Sequence, residues 1–139
     1  MVGLDLGAKR IGVAVCDAGR VLASPDRVLQ RTGDETRDHQ AIAAIVAEWD
    51  ATSVVVGLPL SLDGSVGPAA QAALDEAERL AVVVPVPVET YDERLTTVSA
   101  ERILAEQSVR GRARRQAVDK VAAAVILQSW LDRRTQDPT

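Results

Sequence analysis

Apolar positions near the start of the chain follow the spacing of β-strands. Residues 2–7 and 10–16 are apolar, β-branched runs separated by a two-residue gap, and Gly7 lies where a tight turn needs glycine. Residues 20–23 predict a third short strand. We therefore expect these three strands to form an antiparallel meander.

The middle of the chain alternates between helix and strand patterns. Apolar residues at helical spacing predict helices over 41–49 and 69–81, and short continuous apolar runs predict strands over 53–57 and 82–90. Two prolines in the last run indicate an edge strand or a late start. Residues 30–38 are polar, and we expect them to be weakly ordered.

The last third of the chain is predicted to be helical around a basic loop. Helices are expected over 96–107 and 117–133, with a basic loop over 109–116 between them and a frayed polar tail over 135–139. Antiparallel strands followed by strand–helix crossovers indicate an α/β fold with a mixed sheet. We predict one domain spanning residues 1–139.

Composition narrows the function classes. Hydrophobic residues make up 47% of the 139 residues, enough for a core, and the longest apolar stretch, Val121–Leu127, is far too short to span a membrane. No signal peptide is visible, so a cytoplasmic protein is expected. The net charge of −4 argues against general coating of nucleic acid, and 2% aromatic residues argue against recognition by base stacking.

Asp5 is the first residue with candidate chemistry. It interrupts an apolar strand between two glycines, so its charge either pairs with Lys9 or Arg10 or binds a metal. The segment from Gly7 to Gly12 has the spacing of a phosphate-binding P-loop but lacks the lysine and hydroxyl residue that follow it. With one histidine and one cysteine, no zinc site can be assembled. His39 lies in a polar stretch, and we expect it to be solvated.

Two further acids are candidates for the same site. Glu93 follows the last predicted strand, where ligands bind in open α/β sheets, and Asp119 lies in the first turn of the last predicted helix. Taken alone, Asp119 is better explained as an acid favoured by the helix dipole. Together, Asp5, Glu93 and Asp119 would form an oxygen-only site of the kind that Mg²⁺ or Mn²⁺ prefers, with two ions expected. Asp92 is the alternative to Glu93 or a residue that orients Arg94.

Basic residues flank these acids. Four arginines lie within six positions just before Asp119, and arginine binds phosphate oxygens in a bidentate manner. The alternative is an ordinary solvated loop. The predicted contacts with a nucleic-acid backbone are Lys9, Arg10, Arg94, Arg110, Arg112, Arg114 and Arg115.

Several blocks of the sequence, in order, resemble the YqgF family, also called RuvX. The blocks are Gly3-Leu-Asp-Leu-Gly-x-Lys-Arg-Ile-Gly-Val-Ala-Val15, Val56-Gly-Leu-Pro-Leu60, Asp63-Gly64, Gly67-Pro68, Asp92-Glu-Arg-Leu-Thr-Thr97, Val118-Asp-x-x-Ala-Ala123 and Ile126-Leu-Gln-x-Trp-Leu-Asp132. The chain departs from the family pattern with alanine at 8, cysteine at 16 and Ser61-Leu62, and none of these changes removes an acid.

The resemblance implies an RNase H-like fold related to the RuvC resolvases, with a five-stranded mixed sheet flanked by helices. It implies a metal-dependent nuclease whose acids are Asp5, Glu93 and Asp119. The implied substrate is the 5′ end of pre-16S rRNA during ribosome biogenesis, or alternatively a four-way DNA (Holliday) junction.

Two other function classes stay open from the sequence. An actin-like nucleotide-binding module shares the Asp-x-Gly opening but needs two such domains. A non-catalytic ribosome-assembly factor would bind nucleic acid without cutting it. The sequence is compatible with a monomer or a homodimer, and no membrane partner is expected.

Overall fold

A five-stranded mixed sheet forms the centre of the protein. The computed structural model describes residues 1–16, 22–95 and 113–136, with side chains described over 121–133 in the last of these ranges. In these residues the elements are β1 (Val2–Leu6), β2 (Arg10–Cys16), β3 (Ala23–Gln30), α1 (Glu35–Glu48), β4 (Val54–Leu58), α2 (Pro68–Val83), β5 (Val88–Asp92), a 3-10 turn (Glu93–Leu95) and α3 (Ala113–Gln136).

The strand order is β3-β2-β1-β4-β5. β1 pairs antiparallel with β2 and β2 with β3, whereas β4 runs parallel to both β1 and β5. The parallel pairs are connected through α1 and α2, as helical crossovers require. The predicted mixed sheet, antiparallel on one side and parallel on the other, is confirmed.

Helices cover both faces of the sheet, and side chains alternate between the two resulting cores. Val2 and Leu4 of β1 pack with α1 and α2, in a core that also includes Ile42 and Leu80. The opposite core is built on α3. A Cβ added to Gly3 would lie 2.7 Å from Leu127 Cβ of α3, so the absence of a side chain there lets the helix approach the sheet.

The boundaries differ from the sequence predictions in several places. β3 occupies 23–30 and overlaps the predicted range 20–23 at Ala23, while positions 20 and 21 lie outside the described residues. The strand can include Pro25 because it lies at the edge of the sheet. The segment 30–38 was wrongly predicted to be weakly ordered, since α1 begins at Glu35. The Asp34 side chain caps this helix by accepting a hydrogen bond from the Arg37 amide at 3.3 Å.

The predictions for β5 and for the last helix differ in outcome. β5 is an edge strand and starts late, at Val88, as its prolines indicated. α3 starts at Ala113, so the basic loop was wrongly extended to 116, and the helix also includes residues 135 and 136 of the predicted tail. The residues that extend it backwards, among them Arg114 and Arg115, are good helix formers. The predicted helix over 96–107 and residues 109–112 lie outside the described residues.

No helix in the described ranges is long and apolar enough to cross a membrane.

Candidate active site

Asp5 and Glu93 meet at the carboxyl ends of the parallel strands, on the face covered by α3. Asp5 lies two residues after Gly3 in β1 and therefore faces the same side of the sheet. Glu93 begins the 3-10 turn directly after β5. A Cβ added to Gly57, near the end of β4, would lie 2.8 Å from Glu93 Oε1 and would collide with Ile126 Cδ1 of α3. The Glu93 carboxylate is thus held against bare backbone, beneath the last helix.

Burial and charge both act on Glu93. Partial burial, followed by the negative charges of Asp5 and Asp92, raises the pKa of Glu93 from 4.5 to about 7. Repulsion from Asp5 requires that the two carboxylates be near each other. An acid that resists ionisation in this way is typical of a functional site, and a bound divalent cation would offset the repulsion.

Asp92 has a different environment from Glu93. Its carboxylate pairs with Arg94, which donates from Nη2 to Oδ2 at 2.6 Å and from its backbone amide to Oδ1 at 2.9 Å. These hydrogen bonds, and the Arg94 charge, hold the pKa of Asp92 below its usual range. Asp92 therefore orients Arg94, whereas Glu93 feels the negative charge of Asp5.

The loop between β4 and α2 lies next to Arg94. Arg94 Nη1 donates to the Leu62 carbonyl at 3.3 Å, and Asp63 Oδ1 accepts hydrogen bonds from the amide and hydroxyl of Ser65 at 2.9 and 2.6 Å. Gly64 supplies the positive φ of 88° that the turn needs. The Leu62 side chain, 96% exposed, projects from this hydrogen-bonded loop.

The structure describes the remaining predicted residues unevenly. Lys9 and Arg10 lie in or just after the β1–β2 turn and are exposed. The backbone places Asp119 in the second turn of α3 rather than in its first turn, because the helix starts earlier than predicted. The side chains of Asp119, Arg114 and Arg115 lie outside the described residues, as do Arg110 and Arg112 altogether.

A second cluster of charged residues was missed by the sequence reasoning. His39 is 2% exposed, so the prediction that it is solvated was wrong. Its Nε2 donates to Glu76 Oε2 at 2.8 Å, and Glu76 also accepts two hydrogen bonds from Arg31. The helical spacing of the sequence indicates that both residues are buried, because Glu76 falls in the apolar stripe of α2 and His39 is on the same face of α1 as Ile42.

This second cluster also has the geometry of a metal site. Ligand atoms of Glu35, His39 and Glu76 all lie within 4.8 Å of one another. Both carboxylates are already in bidentate ion pairs, Glu76 with Arg31 and Glu35 with Arg79. A cation would have to displace these arginines. The cluster is therefore better described as an ion-pair network than as a metal centre.

Comparison with solved structures identifies the class of fold. The RuvC resolvase of T. thermophilus in complex with a Holliday junction superposes with a TM-score of 0.66 at 14% identity, over 96% of this chain and 94% of that one. A second structure of Thermus thermophilus RuvC gives a TM-score of 0.59 at 16% identity, over 97% and 95%. The fold is RNase H-like.

Sequence comparison identifies the family within this class. Residues 1–133 match the family model described as "RuvX: Holliday junction resolvase". A protein of Mycobacterium sp. (strain KMS), named "Putative pre-16S rRNA nuclease", is 49% identical over 96% of this chain and 79% of its own length. Relatives with the same name from Mycolicibacterium smegmatis and Mycobacterium tuberculosis are 46% and 47% identical, over 96% of this chain and 80% and 78% of theirs. The chain belongs to the RuvX family, as the sequence blocks indicated.

Proposed function

We propose that this protein is a divalent-metal-dependent endonuclease that hydrolyses phosphodiester bonds in nucleic acid. The observation that carries the proposal is the juxtaposition of Asp5 and Glu93, strong enough for the charge of Asp5 to raise the pKa of Glu93. The RuvC-like fold and the names of the mycobacterial relatives support the same activity.

The donor set fits Mg²⁺ or Mn²⁺. Asp5 and Glu93 offer carboxylate oxygens only, which hard divalent cations prefer, and their mutual repulsion is what a cation relieves. We propose that Asp5, Glu93 and Asp119 would hold the metal, with two ions expected. When bound, the ions would activate water and stabilise the leaving oxygen of an in-line displacement.

The protein's own residues would position the substrate. The Arg94 guanidinium is held by Asp92 and by the Leu62 carbonyl, so its orientation is set before substrate arrives. Lys9, Arg10 and the arginines at 110, 112, 114 and 115 are proposed to contact backbone phosphates. Glu93, half-buried beneath α3, lies where bulk water is partly excluded.

The proposed substrate is the 5′ end of pre-16S rRNA, and the proposed location is the cytoplasm. The name of the mycobacterial relatives favours this substrate. A four-way DNA junction is the second candidate, because the family model is described as a junction resolvase. Trimming one RNA end needs one active site, whereas resolving a junction needs two and would require a dimer. One domain spanning residues 1–139 is sufficient for the first case.

The test compares cleavage of pre-16S rRNA and of a four-way junction by wild type and Asp5→Asn, with Mn²⁺ and with EDTA. We expect wild type to cut the RNA at one 5′ position only with metal, and Asp5→Asn to lose at least a hundredfold in rate. Asp50→Asn is the matched control, since this exposed residue lies before β4, at the opposite end of that strand. Metal-independent binding of RNA without cleavage would instead favour a non-catalytic assembly factor.

A further inference from the structure

Arg31 connects the buried charged cluster to the turn that follows Asp5. It comes directly after β3, and its side chain is 18% exposed. Its Nη1 and Nη2 donate to the two carboxylate oxygens of Glu76 at 3.0 and 2.8 Å. Its Nε donates to the Gly7 carbonyl at 2.7 Å. Every nitrogen of the guanidinium therefore donates a hydrogen bond, two of them to Glu76 of α2 and one to the β1–β2 turn.

The backbone of Arg31 holds the same turn a second time. Its amide donates to the Lys9 carbonyl at 3.0 Å, and within the turn the Gly7 amide donates to the Asp5 carbonyl at 3.1 Å. A Cβ on Gly7 would lie 2.6 Å from the Arg10 carbonyl oxygen, so the turn is tight. Arg31 therefore fixes the Gly7 carbonyl, which lies two residues after Asp5.

Glu76, at the other end of the network, is held by a second residue as well. Glu76 is 7% exposed and is held by His39 of α1 in addition to Arg31. Burial alone would raise the pKa of Glu76, but the hydrogen bonds and charges of Arg31 and His39 outweigh burial and lower it. The carboxylate is therefore ionised and fixed between two helices at neutral pH.

We expect the network of Arg31, Glu76 and His39 to fix the geometry of the β1–β2 turn more than it stabilises the fold. Buried ion pairs often contribute little net free energy, because desolvation offsets their attraction. The planar guanidinium can bind a carboxylate with two nitrogens while a third reaches a carbonyl, and a lysine ammonium cannot reproduce that fork. The proposed active site makes no direct use of these residues.

We propose that Arg31 is a positioning residue that, anchored by Glu76 and His39, fixes the β1–β2 turn so that the Asp5 carboxylate is correctly placed for metal binding. The inference rests on the proposed function of Asp5. It assigns the buried cluster an indirect role, exerted through the backbone from the opposite face of the sheet. Outer residues that orient ligands typically change metal affinity 10- to 100-fold when altered.

The test measures Mn²⁺ affinity by calorimetry, together with kcat and KM for RNA cleavage, in Arg31→Lys and Glu76→Gln. We expect Arg31→Lys to weaken Mn²⁺ binding about tenfold or more and to lower kcat to a similar extent, with KM for RNA within about twofold. Glu76→Gln should do the same to a smaller extent, because it keeps one acceptor for Arg31.

Arg79→Lys is the matched control. It disrupts the bidentate Arg79–Glu35 pair that joins α2 to α1, at 2.7 and 2.8 Å, and Arg79 donates to Glu35 rather than to the β1–β2 turn. We expect its Mn²⁺ affinity to match wild type. Equal losses in Arg79→Lys and Arg31→Lys would overturn the proposal, because general loosening of the helices would then explain both.

Wild-type Mn²⁺ affinity in a folded Arg31→Lys protein would also overturn it. The calorimetric readout separates this failure from failure of the proposed function. If wild type binds Mn²⁺ but cuts no nucleic acid, the nuclease proposal fails while the positioning role of Arg31 is still tested by affinity.

Discussion

Replacing Glu93 with glutamine removes a charge that its surroundings disfavour. The pKa of Glu93 is raised from 4.5 to about 7 by burial and by the charges of Asp5 and Asp92. Because the folded-state pKa lies above the unfolded one, the carboxyl group favours folding below about pH 4.5, and that contribution is lost as the pH rises towards 7. Glutamine keeps the shape of the side chain but carries no charge at any pH.

The size of the effect follows from the pKa difference. A change from 4.5 to about 7 corresponds to about 3 kcal/mol when fully expressed. Glu93 is only partly buried, and solvent screening reduces the value, so we expect Glu93→Gln to raise the free energy of unfolding by about 1–2 kcal/mol at pH 8. At pH 4.5 most of this gain should be absent.

Urea denaturation in EDTA at several pH values between 4.5 and 8 measures this difference. Glu89→Gln, which removes an exposed acid from β5, the strand before Glu93, is the matched control. A difference between wild type and Glu93→Gln that stays constant with pH would refute the electrostatic account. Adding Mn²⁺ should reverse the order, since a ligand that binds only the folded state stabilises it by about 2.7 kcal/mol at a hundredfold excess over Kd.

Four further substitutions probe the packing, the loop between β4 and α2, and the buried network. Gly3→Ala should lower the melting temperature more than Gly57→Ala does, because the new methyl group would press on the backbone of α3. Gly57→Ala should reduce cleavage activity more than Gly3→Ala does, because the new methyl group would displace the Glu93 carboxylate. Leu62→Ser should leave the melting temperature unchanged, because the side chain is 96% exposed. It should raise KM for RNA if the loop between β4 and α2 contacts substrate. Glu76→Gln should cost about 3 kcal/mol at pH 7 by leaving the partly buried charge of Arg31 uncompensated. This difference, measured by urea denaturation, should shrink as the pH falls below 4.5, because the wild-type carboxylate then protonates.

Local pattern predicted much of the fold and the positions of Asp5 and Glu93 at strand ends. The strand spacing around Asp5 and the acid after β5 were visible because the carboxyl ends of parallel strands meet at one edge of a sheet. The position of Glu93 over Gly57, which explains its raised pKa, depends on how closely α3 packs and has no local signature.

The buried network shows where sequence reasoning failed and why. His39 was assigned to the surface from the polarity of its neighbours, although it is buried against Glu76, 37 residues away in sequence. Glu76 in turn binds Arg31, which lies 45 residues from it. A charged residue is buried only when it is paired, and such pairing is set by tertiary structure. The start of α1 was missed because polar residues were read as disorder, whereas Asp34 is a helix cap.

Strand cleavage by Asp5→Asn is the measurement that decides whether Asp5 belongs to a metal site that cuts nucleic acid. With pre-16S rRNA and Mn²⁺, we expect cleavage by wild type, none in EDTA, and a loss of at least a hundredfold in Asp5→Asn protein that unfolds at the same urea concentration as wild type. Cleavage by Asp5→Asn at the wild-type rate would show that Asp5 is not part of such a site.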